Sequence, residues 1–186
     1  MVLTTGRLVL RPFTDVDRDP FFALNTHPMV VESLGSSPTR AESDALIDRF
    51  SEEMAREGWA PWAVEVAGGL PFVGMVGLHR VNASLPCAPA VEVAWRLHPD
   101  HWGHGYASEA AAASLDYGFG EAGLDEIIAF TTTLNTPSQA VMERIGMVHD
   151  PDGDFDHPAL PDGSPLRRHV LYRATPRRGR HKGPIA

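Results

Sequence analysis

The sequence predicts a mixed α/β (α+β) fold in which flanking helices cover one mostly antiparallel central sheet. Its 186 residues, 43% of them hydrophobic, suit one globular domain of ordinary size. Segments with helical spacing of apolar residues interleave with alternating or wholly apolar segments that are typical of strands. The predicted order is strand, two helices, three strands, helix, strand, helix and strand, with no linker dividing the chain.

The first elements follow from alternation and from helix-start signals. Residues 7–13 alternate like a strand, and residues 15–34 have helical character with a break near Pro28. Thr39, followed three residues later by a glutamate, has capping-box spacing and begins the next helix. Gly58 is a typical helix end.

The middle of the chain predicts three strands and a long helix. Residues 59–67 and 71–81 are strands joined by a Gly-Gly turn, and Val91–Leu97 is a third strand after a proline-rich stretch. Residues 105–122 have an apolar stripe rich in alanine, which indicates a helix that packs closely on the sheet.

The last elements are a buried strand, a short helix and a closing strand. Ile127–Leu134 is apolar or β-branched throughout, as expected of a central strand. Thr136 is the predicted N-cap of a helix over 137–145, with Gln139 completing a capping box. A strand over 168–174 ends the domain.

Charge and composition exclude several classes of protein. The formal net charge is -8, and residues 1–176, the predicted domain, hold 12 basic and 24 acidic groups. A domain this acidic is a poor DNA binder and attracts cationic ligands such as amines. Residues 177–186 form a basic tail that we expect to be disordered, and they contain the only lysine, Lys182. Enzymes that depend on a placed lysine, by Schiff base or by phosphate loop, are therefore disfavoured.

Cysteine usage and hydropathy indicate the compartment. With Cys87 as its single cysteine, the chain can form no intramolecular disulfide, which favours a reducing, cytoplasmic setting. No window approaches about 18 consecutive apolar residues, so we expect no membrane span.

One segment carries the main chemical signal, the loop between the strand Val91–Leu97 and the helix 105–122. Gly103 and Gly105 let the backbone approach a ligand closely or adopt positive φ. The free amides at the start of the following helix, with the helix dipole, suit a phosphate. A dinucleotide-binding loop fits poorly, because the third glycine of its motif is replaced by Ser108.

The sequence around this loop resembles the GNAT acyltransferase superfamily. The resemblance rests on Glu92–Pro99 and on the segment Trp102–Ala110, which is similar to the motif Q/R-x-x-G-x-G/A with tryptophan in the first place. Two further segments, Asn135–Ser138 and Val141–Met147, and the opening Arg7–Pro12 resemble the RimJ/RimL branch, whose named members acetylate protein N-termini. The matches span about residues 7–174.

The resemblance implies acetyl-CoA as co-substrate and a GNAT-type sheet with splayed middle strands. The strand Val91–Leu97 would carry a β-bulge, separate from the strand at 127–134, and hold the pantetheine arm through its backbone. A backbone N–H of that strand would polarise the thioester carbonyl. The resemblance implies these cofactor-binding residues: Trp95, Arg96, Leu97, Trp102, Gly103, His104, Gly105, Tyr106, Ala107, Asn135 and Ser138.

Two side chains are the candidate catalytic groups. Ser138, which matches the serine of the family motif, would act as the acid near the sulfur, and Glu92 would act as the base, directly or through a water. Each has a structural alternative: helix capping for Ser138, as for Asn135, and a solvated or structural carboxylate for Glu92. His79 and His149 are the reserve bases.

Two patterns suggest metal sites and fall short of them. His98, His101 and His104 recur at every third residue in a loop without a further placed ligand, so no metal is expected. The aspartates of the loop 149–165 lack the glycine and closing glutamate of a calcium loop. They could border the acceptor site and favour a cationic amine.

The predicted function is acetyl-CoA-dependent transfer of an acetyl group directly to a primary amine, either a protein N-terminus or a small molecule. The alternatives are an acyltransferase that uses a longer acyl-CoA and a non-catalytic CoA-binding module. A nucleotide-dependent oxidoreductase would bind NAD in preference to CoA. The acceptor pocket would come from the helices 15–34 and 39–57 and the loop 149–165. A homodimer is left open.

Overall fold

A computed structural model of the chain describes residues 1–176, which contain one sheet of nine strands. In spatial order the strands run β1-β2-β3-β4-β5-β6-β9-β7, and β8 also pairs with β9. Their bounds are β1 (Leu3–Thr4), β2 (Leu8–Arg11), β3 (Pro61–Val66), β4 (Gly74–Arg80), β5 (Val91–Leu97), β6 (Ile127–Thr132), β7 (Val148–His149), β8 (Phe155–Asp156) and β9 (Arg168–Ala174). The predicted mixed fold with a mostly antiparallel sheet is confirmed.

The middle strands of the sheet separate, as the family resemblance implied. Every neighbouring pair is antiparallel except β5 and β6, which are parallel and share the single pairing Glu92–Ile128. On its other side, β5 pairs with β4 residue for residue, from Gly74–Leu97 to Arg80–Val91. Because the register with β4 never skips a residue, the prediction of a β-bulge in Val91–Leu97 is wrong. The strands diverge through loss of the β5–β6 ladder instead.

Five helices flank the sheet within residues 1–176. They are α1 (Arg18–Thr26), α2 (Pro28–Leu34), α3 (Arg40–Glu57), α4 (Tyr106–Gly120) and α5 (Thr136–Arg144). The predicted break near Pro28 separates α1 from α2, because His27 is extended and Pro28 takes the first helical position. The Thr39 capping box and the left-handed Gly58 bound α3 as predicted.

Several local predictions need correction. The short strands β1, β7 and β8 were missed, since two residues carry no readable alternation. Asn135, not Thr136, is the N-cap of α5, and its side chain accepts a hydrogen bond from the Ser138 amide. Gln139 completes no capping box there; its Nε2 instead donates to the carbonyls of Thr132 and Thr133.

The two faces of the sheet are covered by different helices. On one face, α4 packs through Ala110 and Ala111, which are fully buried with the apolar side chains of the central strands. Alanine and glycine bring this helix close, and a Cβ added at Gly118 would lie 2.5 Å from Ile127 Cδ1. On the other face, α1 and α3 bury an aromatic cluster that includes Phe21. Glu92, Ala94 and Arg96 alternate toward this second face.

The remaining predictions at this level concern the ends of the chain and the membrane. The basic tail 177–186 lies outside the described residues. No helix in residues 1–176 has both the length and the apolar character needed to cross a bilayer.

Candidate active site

The gap between β5 and β6 opens into a cavity with a volume of about 830 Å³. Its walls come from these two strands, the loop after β5, the first turn of α4, and α5. Beyond the Glu92–Ile128 pairing, residues 93–97 have no ladder partner on the β6 side. The cavity is therefore edged by unpaired backbone, to which an extended molecule can add like a strand.

All but one of the residues predicted to bind the cofactor line this cavity. They are Trp95, Arg96, Leu97, Trp102, Gly103, Gly105, Tyr106, Ala107, Asn135 and Ser138. His104 is the exception: its ring stacks on Tyr106, and its Nδ1 lies 2.9 Å from the Trp102 carbonyl. Only its backbone is placed to act within the loop.

The loop from Gly103 into α4 forms an open cradle of amides. Gly103 and Gly105 have φ values of 78° and 79°, in the left-handed region that glycine adopts without strain. Within the described chain, none of the amides of residues 103–108 donates a hydrogen bond to protein. A Cβ at Gly103 would meet nothing within 4 Å, so no side chain fills the space. Such a cluster at a helix N-terminus fits a phosphate or diphosphate.

Trp102 fixes the near end of the cradle. Its indole Nε1 donates to the Leu97 carbonyl over 2.8 Å, which ties the loop to the end of β5, while the ring remains 44% exposed. The indole is thereby occupied, so an anion held here must bind the backbone amides. The Leu97 carbonyl, predicted to hold the pantetheine arm, already accepts this bond and has one lone pair left.

Arg7 fixes the far end, a role that sequence reasoning missed. Its Nη1 donates to the His104 carbonyl over 3.0 Å, and its Nε donates to Glu109 Oε2 over 2.7 Å. The guanidinium also lies 4.9 Å from the centre of the Tyr106 ring. Arg7 belonged to the opening motif, but nothing in the sequence indicated a contact with residues about a hundred positions away.

The sequence left two roles open for Asn135 and Ser138, helix capping and contact with the ligand, and the structure gives the cap to the Asn135 side chain. Asn135 caps α5, because its Oδ1 accepts from the Ser138 amide over 3.2 Å. Its Nδ2 donates to Thr131 Oγ1. The Ser138 hydroxyl forms no hydrogen bond with any residue from 1 to 176 and lies on the cavity wall. The Ser138 side chain is therefore free to contact a ligand, while its backbone serves the cap.

Glu92 is buried in the cavity wall beside His79. Its side chain has no hydrogen-bonding cation, and burial raises its pKa to about 8. Its Oε2 lies 3.5 Å from His79 Nε2. Burial also lowers the pKa of His79, and its Nδ1 lies 3.1 Å from the Arg80 carbonyl. Because a carbonyl only accepts, Nδ1 carries the proton, and Nε2 of the neutral ring faces Glu92.

The other reserve base lies away from the cavity, and the acidic loop borders it through His157 and Leu160. His149 does not line the cavity; its Nε2 lies 2.9 Å from Asp154 Oδ1. Asp150 pairs with Arg173, and Asp156 lies within 4 Å of two arginines, so part of the negative charge of this loop is neutralised. The expectation that the loop favours a cationic amine stays a prediction, with only part of the loop's negative charge left unpaired. In the part of the chain that the structure describes, no cluster of three metal-ligating side chains is present.

The charges that do line the cavity are mostly basic, in contrast to the acidic chain. Glu92 is the only carboxylate in the lining among residues 1–176, whereas two arginines, Arg96 and Arg144, line it. Arg144 Nη1 donates to Ser108 Oγ over 3.0 Å, at the start of α4 beside the amide cradle. Sequence reasoning missed Arg144 because a cation in the last turn of a helix is ordinary. His101, His157 and His169 also line the cavity, and burial lowers the pKa of each.

Comparisons with known proteins agree with this geometry. The Acetyltransferase (GNAT) domain family matches residues 7–148. The uncharacterized N-acetyltransferase YoaA of Bacillus subtilis is 26% identical over 95% of this chain and 98% of its own. An acetyltransferase from Agrobacterium tumefaciens superimposes with a TM-score of 0.77, at 25% identity over 95% of each chain.

A third relative carries the coenzyme. RimL, a ribosomal L7/L12 alpha-N-protein acetyltransferase solved in complex with coenzyme A, shares the fold with a TM-score of 0.74 and 15% identity, over 94% of this chain and 98% of that one. Members of the family use acetyl-CoA. The match to the family covers more than half of the sequence, and it agrees with the separated middle strands and the amide cradle. The chain belongs to the GNAT acetyltransferase family, in its RimJ/RimL-like branch, and is an N-acetyltransferase.

Proposed function

We propose that this enzyme transfers the acetyl group of acetyl-CoA directly to a primary amine, either on a protein N-terminus or on a small molecule. The observation that carries the proposal is the single cavity that joins the amide cradle at residues 103–108, the unpaired edge of β5 and the buried carboxyl of Glu92. A co-substrate with a diphosphate, an extended arm and a reactive end needs these three features in this order.

The residues present fit acetyl-CoA. The amide cradle and Arg144 would hold its diphosphate, and the backbone of Trp95, which is unpaired on the β6 side, would hold its pantetheine arm. When bound, acetyl-CoA supplies the acetyl thioester. A backbone N–H on the open edge of β5 would stabilise the negative charge that develops on the thioester oxygen.

Proton transfer would be handled by Glu92 and Ser138. The amine nitrogen forms the new N–C bond as the C–S bond breaks, so the nitrogen must lose a proton and the sulfur must gain one. The ionised Glu92 carboxylate would accept the first proton, with His79 Nε2 behind it as a relay. The unpartnered Ser138 hydroxyl would donate to the sulfur. Holding both reactants in one cavity contributes more to the rate than either group does.

Release of free thiol tests the proposal. The full chain is incubated with acetyl-CoA and a panel of peptides and small amines, and the acetylated product is identified by mass spectrometry. Turnover with acetyl-CoA above that with propionyl-CoA and butyryl-CoA is expected. A preference for a longer acyl chain would replace acetyl as the donated group. Tight binding of CoA without turnover on a broad panel would favour a CoA-binding module.

A further inference from the structure

The Arg96 side chain lies where two cavities meet. Arg96 lines the 830 Å³ cavity and also a second cavity of about 410 Å³, which lies between α1 and α3 and the turn after α2. Besides Arg96, only Leu34 among the residues around the second cavity also lines the first. Arg96 therefore lies between the two cavities, on the face of β5 that carries Glu92.

The Arg96 guanidinium forms a hydrogen bond with only one residue of the described chain, Asn25. Its Nη1 donates to Asn25 Oδ1, and Asn25 Nδ2 donates to Ser43 Oγ over 3.3 Å. Asn25 and Ser43 are each only 1% exposed, so this support is part of the core. Nε and Nη2 of Arg96 have no hydrogen-bond partner anywhere in residues 1–176, and neither is sealed from the cavities. Three of its five N–H groups are thus available to a ligand.

Arg96 also lacks a counter-charge. No carboxylate in the described chain lies within 4 Å of it, although most of the arginines in this acidic protein are paired with one. Burial lowers its pKa to about 10, so it remains a cation at neutral pH. Removing a cation from water without a partner is costly, so a ligand that brings a negative charge to this guanidinium would be stabilised by ion pairing. A planar guanidinium with adjacent free N–H groups suits a carboxylate in particular.

The position of Arg96 separates it from the cofactor. Trp95 and Leu97 alternate to the opposite face of β5, toward α4 and the amide cradle, whereas Glu92, Ala94 and Arg96 share one face. Four residues of strand separate the Cα atoms of Glu92 and Arg96 by about 13 Å. The small side chain of Ala94 lies between them and leaves room for a ligand. A molecule that spans this face would have one end at each polar group.

We propose that the acceptor of this enzyme is an amine that also carries a carboxylate, which the free N–H groups of Arg96 bind while the amine lies toward Glu92. This inference rests on the proposed function, since it assigns the acceptor of the same reaction. The separation along β5 favours acceptors whose amine and carboxylate are several atoms apart, as in an ω-amino acid or a short peptide with an acidic side chain.

Matched acceptors that differ only in this charge provide the test. The full chain is assayed with acetyl-CoA and either 6-aminohexanoate or 6-aminohexanamide, and with the peptide amides Gly-Glu-NH₂ and Gly-Gln-NH₂. In the wild type, we expect the carboxylate to raise kcat/KM by about 10- to 100-fold in at least one pair, the range of a hydrogen bond to a charged group. Equal rates within both pairs, with turnover of all four acceptors, would overturn the inference.

Three variants locate the effect. Arg96→Met keeps the side-chain volume and removes the charge, so the preference for the carboxylate should fall to within about threefold while the affinity for CoA is retained. Arg96→Lys keeps the charge, loses the planar fork, and should retain part of the preference. Arg144→Met, which removes the other arginine of the cavity lining, should weaken the binding of CoA and leave the preference intact. A preference that survives Arg96→Met would assign the carboxylate to another group.

A binding experiment separates this inference from the proposed function. Calorimetry measures the affinity of the enzyme, saturated with CoA, for 6-acetamidohexanoate and for 6-acetamidohexanamide. Tighter binding of the carboxylate, lost in Arg96→Met, supports the site even where no amine is acetylated, a result that would overturn only the proposed function. Equal affinity for the two compounds overturns the site, whatever the turnover.

Discussion

Nε2 of His79 lies 3.5 Å from Oε2 of Glu92, directly across the β4–β5 ladder in which these two residues are paired. The carboxyl group is buried in the cavity wall, and the histidine side chain is 27% exposed. A proton taken up by Glu92 can therefore pass to the neutral Nε2 and leave toward solvent, without crossing the space that the substrates occupy.

The activity of the wild type should rise with pH through the pKa of Glu92. Because burial raises that pKa to about 8, the group is mostly protonated at pH 7 and becomes an effective base only above it. We expect kcat/KM to increase across about pH 7–9 and Glu92→Gln to lower it by about 10²- to 10⁴-fold, with this limb lost. His79→Gln should cost less and keep the limb. An unchanged limb in Glu92→Gln would remove Glu92 as the base.

The same carboxyl should make stability fall with pH. In the unfolded chain Glu92 ionises near its ordinary pKa of 4.5, whereas in the folded protein it stays protonated to about 8. Between these values the folded state binds more protons, so the free energy of unfolding decreases as pH rises, and it levels off outside the window. Glu92→Gln should therefore gain up to a few kcal/mol over the wild type by pH 8.5 and little at pH 4.5. Urea unfolding at the two pH values measures this gain, and an equal difference at both would contradict it.

Gly105→Glu should abolish CoA binding, because it places a carboxylate in the amide cradle. We expect an affinity loss of at least about 100-fold, measured by calorimetry. Gly105→Ala separates the effect of charge from that of backbone strain, because alanine has no charge but must adopt the same positive φ. Its Cβ would lie 3.5 Å from Arg7 Nη2, which is an ordinary contact. Gly123→Glu, at φ 66° with nothing within 4 Å and outside the cavity, is the matched control and should bind CoA normally. Retained micromolar affinity in Gly105→Glu would rule out the cradle.

Ser138→Ala should lower the activity, whereas Asn135→Ala should lower the stability of the fold. The Ser138 side chain holds no bond within the described structure, so its loss should lower kcat more than the affinity for CoA and leave the melting temperature unchanged. Asn135→Ala removes the N-cap of α5 and should destabilise the protein by about 1 kcal/mol. Unchanged kcat in Ser138→Ala would remove Ser138 as the acid.

Arg7→Met should weaken CoA binding by several-fold without changing kcat, because it releases the backbone of His104 and the first turn of α4 from β2 and its preceding turn. Arg40→Met is the control, since Arg40 pairs with aspartates on the far helices and lines neither cavity. Equal CoA dissociation constants for the wild type and Arg7→Met would show that the cradle holds its shape without Arg7.

The parts of the fold that the sequence predicted are those with strong local signals. The helix α3 has a capping box at Thr39 and a left-handed glycine at its end, so its bounds could be read directly. The strand β5 alternates and is bounded by prolines, and its predicted bounds match the structure. The N-cap of α5 was misplaced by one residue, because Asn135 and Thr136 are both good caps and only the backbone decides between them.

The parts of the candidate site that the sequence could not predict depend on contacts between distant segments. The spacing of the two loop glycines was enough to predict the amide cradle, whereas Arg7 contacts residues about a hundred positions away in the sequence. The role inferred for Arg96 depends on the lack of a carboxylate near its side chain. Which side chains surround Arg96 is decided by the fold, so the sequence pattern could not indicate it. The acidic loop shows the reverse, since Asp150 and Asp156 look free in the sequence and lie beside arginines in the fold.

The single pairing between β5 and β6 also bears on how the chain is assembled during synthesis. Each strand from β2 to β5 lies beside the strand that precedes it in the sequence, so this half of the sheet can form while the remainder is still on the ribosome. The strands of the other half are joined to one another across β9, the last to emerge. Because the halves share a single backbone pairing, the second half is joined to the first mainly by α4 and the common apolar core, not by a continuous ladder.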